Sequence, residues 1–67
     1  MDDPKDGDLR ARYSYSEHFD AHIVVVEQFE HTKSVGSWRV ITNLFVKAES
    51  VGRRLARAIT ENGRDAS

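Results

Sequence analysis

From Leu9 the chain alternates, with Leu9, Ala11, Tyr13 and Tyr15 on one side of an extended backbone and Arg10, Arg12, Ser14 and Ser16 on the other. A period of two over eight residues predicts a strand with one buried face. Glu17 to Asp20 interrupts with a polar cluster around Phe19 and predicts a hairpin turn. The β-branched run Ile23-Val24-Val25-Val26 continues through Glu27, Gln28 and Phe29. Apolar residues on both its faces suit a central strand flanked by two neighbours. His31 to Ser37, HTKSVGS, is turn chemistry, with Gly36 free to take positive φ. Trp38 to Val46 predicts a third strand. One face carries Trp38, Val40, Leu44 and Val46, interrupted by Thr42, and the other carries Arg39, Ile41, Asn43 and Phe45. Connections this short make the three strands an antiparallel meander.

Near Ala48 the period changes. At 100° per residue, Ala48, Val51, Leu55, Ala58 and Ile59 fall within about 80° of arc, and Arg53, Arg57 and Arg64 lie on the far side beside Arg54 and Glu61. This predicts an amphipathic helix with an arginine-rich outer face, started near Ser50 and stopped by Asn62-Gly63. Gly52 weakens its first turn by about 1 kcal/mol relative to alanine.

The expected fold is therefore α+β: a three-stranded antiparallel β-meander followed by one C-terminal amphipathic α-helix packed on one sheet face, βββα. Residues 1–8 (MDDPKDGD) read as a mobile acidic tail, 9–63 as a single domain, and 64–67 as a frayed end. With the tyrosine face inward, the expected core is Leu9, Tyr13, Tyr15, Ile23, Val25, Phe29, Trp38, Val40, Leu44, Val51, Leu55 and Ile59. The central run can present either of its two sets inward, and one helix covers one side only. Whichever set faces out leaves aliphatic residues, with Ile41 and with Phe45 as a further candidate, on an uncovered face.

Composition narrows the class. The 67 residues are 39% apolar and 31% charged, with ten basic and eleven acidic side chains and no cysteine. That is one small folding domain without a disulfide framework, a Cys-ligated zinc or thiol chemistry. No run approaches the roughly 18 apolar residues of a membrane span, and no leader precedes the fold, so a cytoplasmic location is the expectation. Charge is segregated: residues 1–9 carry four Asp and one Lys, whereas 47–67 carry Lys47, Arg53, Arg54, Arg57 and Arg64 against Glu49, Glu61 and Asp65.

Little in the chain suggests catalysis. The four glycines are dispersed, so no phosphate loop precedes the helix, and Ser14 and Ser16 near His18 alternate away from any pocket. Glu17, His18, Asp20 and His22 invite a metal, but four ligands with supporting shells are rarely found in one short turn, and His31 lies at the far end of the central strand. The expectation is no enzyme, no cofactor, no metal and no small-molecule substrate.

What remains is surface. An open face carrying Val24, Val26 and Ile41 among Arg10, Arg12 and Arg39 is apolar at its centre and basic at its rim, the usual make-up of a protein interface. Together with Arg53, Arg54 and Arg57 on the helix, these residues are the candidate partner-binding set. The leading reading is a small interaction protein (inhibitor, adaptor or accessory subunit) that binds a protein partner, with homodimerisation as one form of that contact. On this reading Val26→Asp or Ile41→Asp abolishes the contact and leaves the monomer folded. The alternative is a small nucleic-acid-binding regulator whose helix arginines track phosphates while the strands read a groove. Gly36-Ser37-Trp38-Arg39-Val40, opening a strand in a three-strands-then-helix order, resembles the arm-type DNA-binding domain of tyrosine recombinases. The resemblance covers those five residues, and the basic hairpin that such a domain would show is missing.

Overall fold

The computed structural model of the chain describes residues 4–32 and 34–63. Its elements run β1 (Leu9–Ser16), β2 (Ala21–Thr32), β3 (Val35–Val46) and α1 (Glu49–Gly63). The strands form one antiparallel sheet in the order β1-β2-β3, with α1 laid across one face, so the fold is βββα. No helix among the described residues is long and apolar enough to cross a membrane.

Register decides which residues the helix covers. Ala11 pairs with Val26 and Tyr13 with Val24, and Val24 in turn pairs with Leu44. The helix-side core is therefore Val24, Val26 and Ala56, packed by Ala11, Val46, Leu55 and Ile59. Of the two sets β2 could turn inward, the helix takes Val24 and Val26, which are 0% and 5% exposed. The sequence pattern puts both on the open face; they lie under the helix instead. Ile23, Val25 and Phe29, expected in the core, point to the uncovered side.

The helix contacts the sheet through its small residues. Gly52 and Ala56 are its buried positions, whereas Val51 and Ala58, expected to face the core, are exposed. A Cβ on Gly52 would lie 2.7 Å from the Tyr13 ring and 3.1 Å from Val46. The missing side chain lets α1 settle against the tyrosine side of β1, which outweighs the helix-propensity cost of glycine.

The bends differ in detail from the sequence expectation. The first turn is Glu17–Asp20, closed by a hydrogen bond from the Asp20 amide to the Glu17 carbonyl and ending with Asp20 at φ 49°. Aspartate is among the few residues that tolerate this left-handed region. Between β2 and β3 the strands run on to pair Thr32 with Val35, so Gly36 sits inside β3 opposite His31 and turns nothing. Its role is spatial: a Cβ there would lie 2.2 Å from the Phe29 ring, which lies over the glycine. Gly36→Ala must displace that ring, and overpacking of this kind costs about 1–3 kcal/mol. The lowered melting temperature should be recovered by adding Phe29→Leu.

At the N-terminus Pro4–Asp8 is held against the sheet, in contrast to the tail expected over 1–8. The Gly7 amide donates to the Phe29 carbonyl at 2.9 Å and the Phe29 amide to the Asp8 carbonyl at 2.8 Å, extending the β1 ladder beyond Leu9. Gly7 takes φ 92°, and Asp8 is buried with one carboxylate oxygen accepting from the Lys5 amide. Residues 1–3 and the end 64–67, with Arg64, lie outside the described residues.

Candidate docking surface

The uncovered side of the sheet is built by alternate residues of the three strands: Arg10, Arg12 and Ser14 from β1, Ile23, Val25, Glu27 and Phe29 from β2, and Phe45, Asn43, Val40 and Trp38 from β3. β3 switches parity midway because a bulge separates the pairs Val26↔Thr42 and Glu27↔Val40. One extra residue, Ile41, is accommodated there. The bulge keeps Trp38 and Val40 on the same side as Asn43 and Phe45, although they differ in odd-even position. It also moves Arg39, paired with Gln28, to the other side of the sheet, where its guanidinium meets Glu30 at 3.3 Å.

Two aromatic groups mark the ends of the open face. At one end the Trp38 and Phe29 rings meet edge to face at 5.3 Å, and the Arg10 guanidinium lies 4.1 Å above the Trp38 ring. Arg10 also donates to Glu27 at 2.9 Å, and that carboxylate side chain is 11% exposed. A nearly buried carboxylate needs such a partner, and the stacked guanidinium is fixed on both sides. At the other end Phe19 of the first turn meets Phe45 edge to face at 6.2 Å. Between them Val25 is buried, flanked across the strands by Arg12 and Asn43. Phe45, Val40 and Ile41 are half-exposed or more, and Arg12 has no ion-pair partner among the described residues.

The helix arginines lie on the opposite side of the molecule. Arg53 pairs with Glu49 at 2.6 Å and Arg57 with Glu61 at 3.0 Å, both one turn apart, and Arg53 also lies 5.2 Å from the Tyr13 ring. Arg54 is exposed, with no ion pair among the described residues. The expected set therefore divides: Arg10 and Arg12 on the open face, Ile41 at the bulge, Arg39 on the helix side of the sheet, and Arg53, Arg54 and Arg57 on the helix. The sheet stands between the open face and the helix, so one flat partner cannot touch both.

The histidine-rich turn forms a hydrogen-bonded aromatic group. The Tyr13 hydroxyl and His22 Nδ1 are 2.7 Å apart, His22 stacks on Tyr13, and Tyr15 meets His22 edge-on. Tyr15 donates to Asp20, and that acceptor carboxylate holds the phenol above its ordinary pKa. Among the described residues no three His, Cys, Asp or Glu side chains are placed to share a metal ion.

Sequence reasoning placed Phe29, Trp38 and Val40 in the core and so missed them as members of the open face, on which Phe45 was already a candidate. Their residue types carried the signal, but the bulge that aligns them leaves no mark in a two-residue period. No protein-family model matches the chain, and no curated protein or solved structure is significantly similar to it.

Proposed function

We propose that this chain is a small, non-enzymatic, cytoplasmic interaction protein that docks on a protein partner through the open sheet face. The observation that carries the reading is the composition of that face: Trp38, Val40 and Phe45 arrayed along β3, Phe19 beside them, and Arg10 and Arg12 at the rim. Exposed aromatic and aliphatic anchors bordered by arginine are the make-up of protein interfaces, in which a few such anchors supply most of the affinity and the charges orient the encounter. The helix supports a nucleic-acid reading less well. Arg53 and Arg57 are already paired with carboxylates, so a phosphate would have to displace an internal partner.

The test combines capture with titration. The tagged chain and its Arg12→Glu variant are each used to recover partners, and in parallel each is titrated into labelled duplex at about 50 and 200 mM salt. A protein retained by the parent and lost with Arg12→Glu supports docking through the face. Saturable, salt-sensitive duplex binding that survives Arg12→Glu and is lost with Arg54→Glu overturns it in favour of a nucleic-acid regulator.

A further inference from the structure

The sheet has two edges, and they are finished differently. On β1 the Thr60 hydroxyl accepts from the Ala11 amide at 2.9 Å and donates to the Ala11 carbonyl at 3.1 Å. A side chain from α1 thus occupies the outward-facing backbone groups at the middle of that strand. β3 is twelve residues long and exposed over almost its whole length. Of the usual protections of an edge strand, lysine, proline and short length are absent from Val35–Val46, which keeps one charged residue, Arg39, and the bulge at Ile41.

The direction of the β3 backbone groups follows from the ladder. Ala11 turns its N–H and C=O outward, so in the alternating antiparallel pattern its partner Val26 turns toward β3, Thr42 answers it, and Asn43 and Phe45 turn outward. From the other end, Phe29 spends both its backbone groups on Gly7 and Asp8 at the β1 side, so its partner Trp38 turns outward, with Gly36 and Val40. The bulge lies between the two groups. In an antiparallel pairing of β3 with a second β3 about a two-fold axis at the bulge, Trp38 stands opposite Phe45 of the second copy and Val40 opposite Asn43. Outward groups then meet outward groups on both sides of the axis, with Ile41 and the inward-turned Thr42 at the axis itself. Arg39 faces Leu44 and Lys47 faces Gly36, so no like charges are opposed.

We infer that β3 is the self-association edge of this protein, joining two copies into a six-stranded antiparallel sheet. The axis stands normal to the sheet, so both helices lie on one side and the two open faces form one continuous surface. This deepens the docking reading and rests on it for the role of that widened face. Because Thr60 occupies the middle of the β1 edge at Ala11, the assembly closes at two copies.

The molecule has surface to lose. Its accessible area is 5320 Å2, against about 4,300 Å2 for a compact monomer of this mass. Its radius of gyration is 13.0 Å, against about 11 Å for a compact domain of this length. The excess, about 1,000 Å2 over the whole molecule, is larger than the roughly 800 Å2 that each partner buries in a stable interface.

The experiment is sedimentation equilibrium on the full chain from about 10 μM to about 1 mM, a span covering weak and moderate affinities. The expected mass rises from 7.6 kDa to twice that and no further. Val40→Lys, at a half-exposed position, should keep the parent circular dichroism and remain monomeric. The cysteine-free chain gives a second measurement: Val40→Cys with Asn43→Cys should oxidise to a covalent dimer, and the amides of Trp38, Val40, Asn43 and Phe45 should exchange more slowly as concentration rises. A monomer across the whole range overturns the inference, as does a dimer that Val40→Lys leaves intact. Either result leaves docking through the face to be judged separately by Arg12→Glu.

Discussion

Val26→Asp should unfold the domain. In the observed register Val26 is 5% exposed beneath α1, beside Val24 and Ala56, in a core with few other members. An ionised carboxylate placed there has no cation to meet, and the penalty is several kcal/mol even after relaxation. A chain of 67 residues has about 3–10 kcal/mol of stability in all. The expected result is loss of the cooperative thermal transition, with far-ultraviolet circular dichroism of an unfolded chain at 25 °C. Ile41→Asp is the control: Ile41 is 48% exposed at the bulge, and its variant should keep the fold within about 1 kcal/mol, as surface substitutions usually do. The two substitutions, which a one-face reading of the sequence treats alike, should therefore separate completely. A Val26→Asp chain that melts like the parent would show that β2 turns its other set of residues toward the helix.

That separation locates where the sequence was legible. The alternation from Leu9 to Ser16, the β-branched run and the arginine stripe after Ala48 each set one local period, and βββα follows from them. The side of β2 that meets the helix depends on pairing, because Val24 and Val26 differ from Ile23 and Val25 in neither chemistry nor size enough to break the tie. The tie is broken by what α1 offers: Gly52 and Ala56 approach closely only where Tyr13 and Val46 leave room, and small residues do not register as a buried stripe. The open face was obscured for a different reason. A single added residue at Ile41 reverses the parity of β3, sending Arg39 to Glu30 and bringing Trp38 under Arg10. The hold on residues 4–8 was missed because it is made by backbone groups and by Asp8, in a stretch whose composition reads as solvated.

Thr60→Val should both weaken the fold and change its assembly. The substitution keeps the shape of the side chain and removes the hydroxyl that serves the Ala11 amide and carbonyl together. Leaving two partly buried backbone groups without their partner costs about 2–4 kcal/mol, a large fraction of the stability of so small a domain. The same change exposes the middle of β1 as a second edge. With β3 pairing β3, a free β1 lets one dimer add to the next, and a closed pair becomes an open series. The expected result is a lower melting temperature together with a weight-average mass that keeps rising past the dimer. Thr60→Ser retains the hydroxyl and should stay close to the parent in both measurements. If Thr60→Val lowers the melting temperature and the mass still stops at two copies, the helix backbone itself is what shields β1. If neither quantity moves, the two hydrogen bonds do not secure that edge, and closure at two copies loses its physical basis.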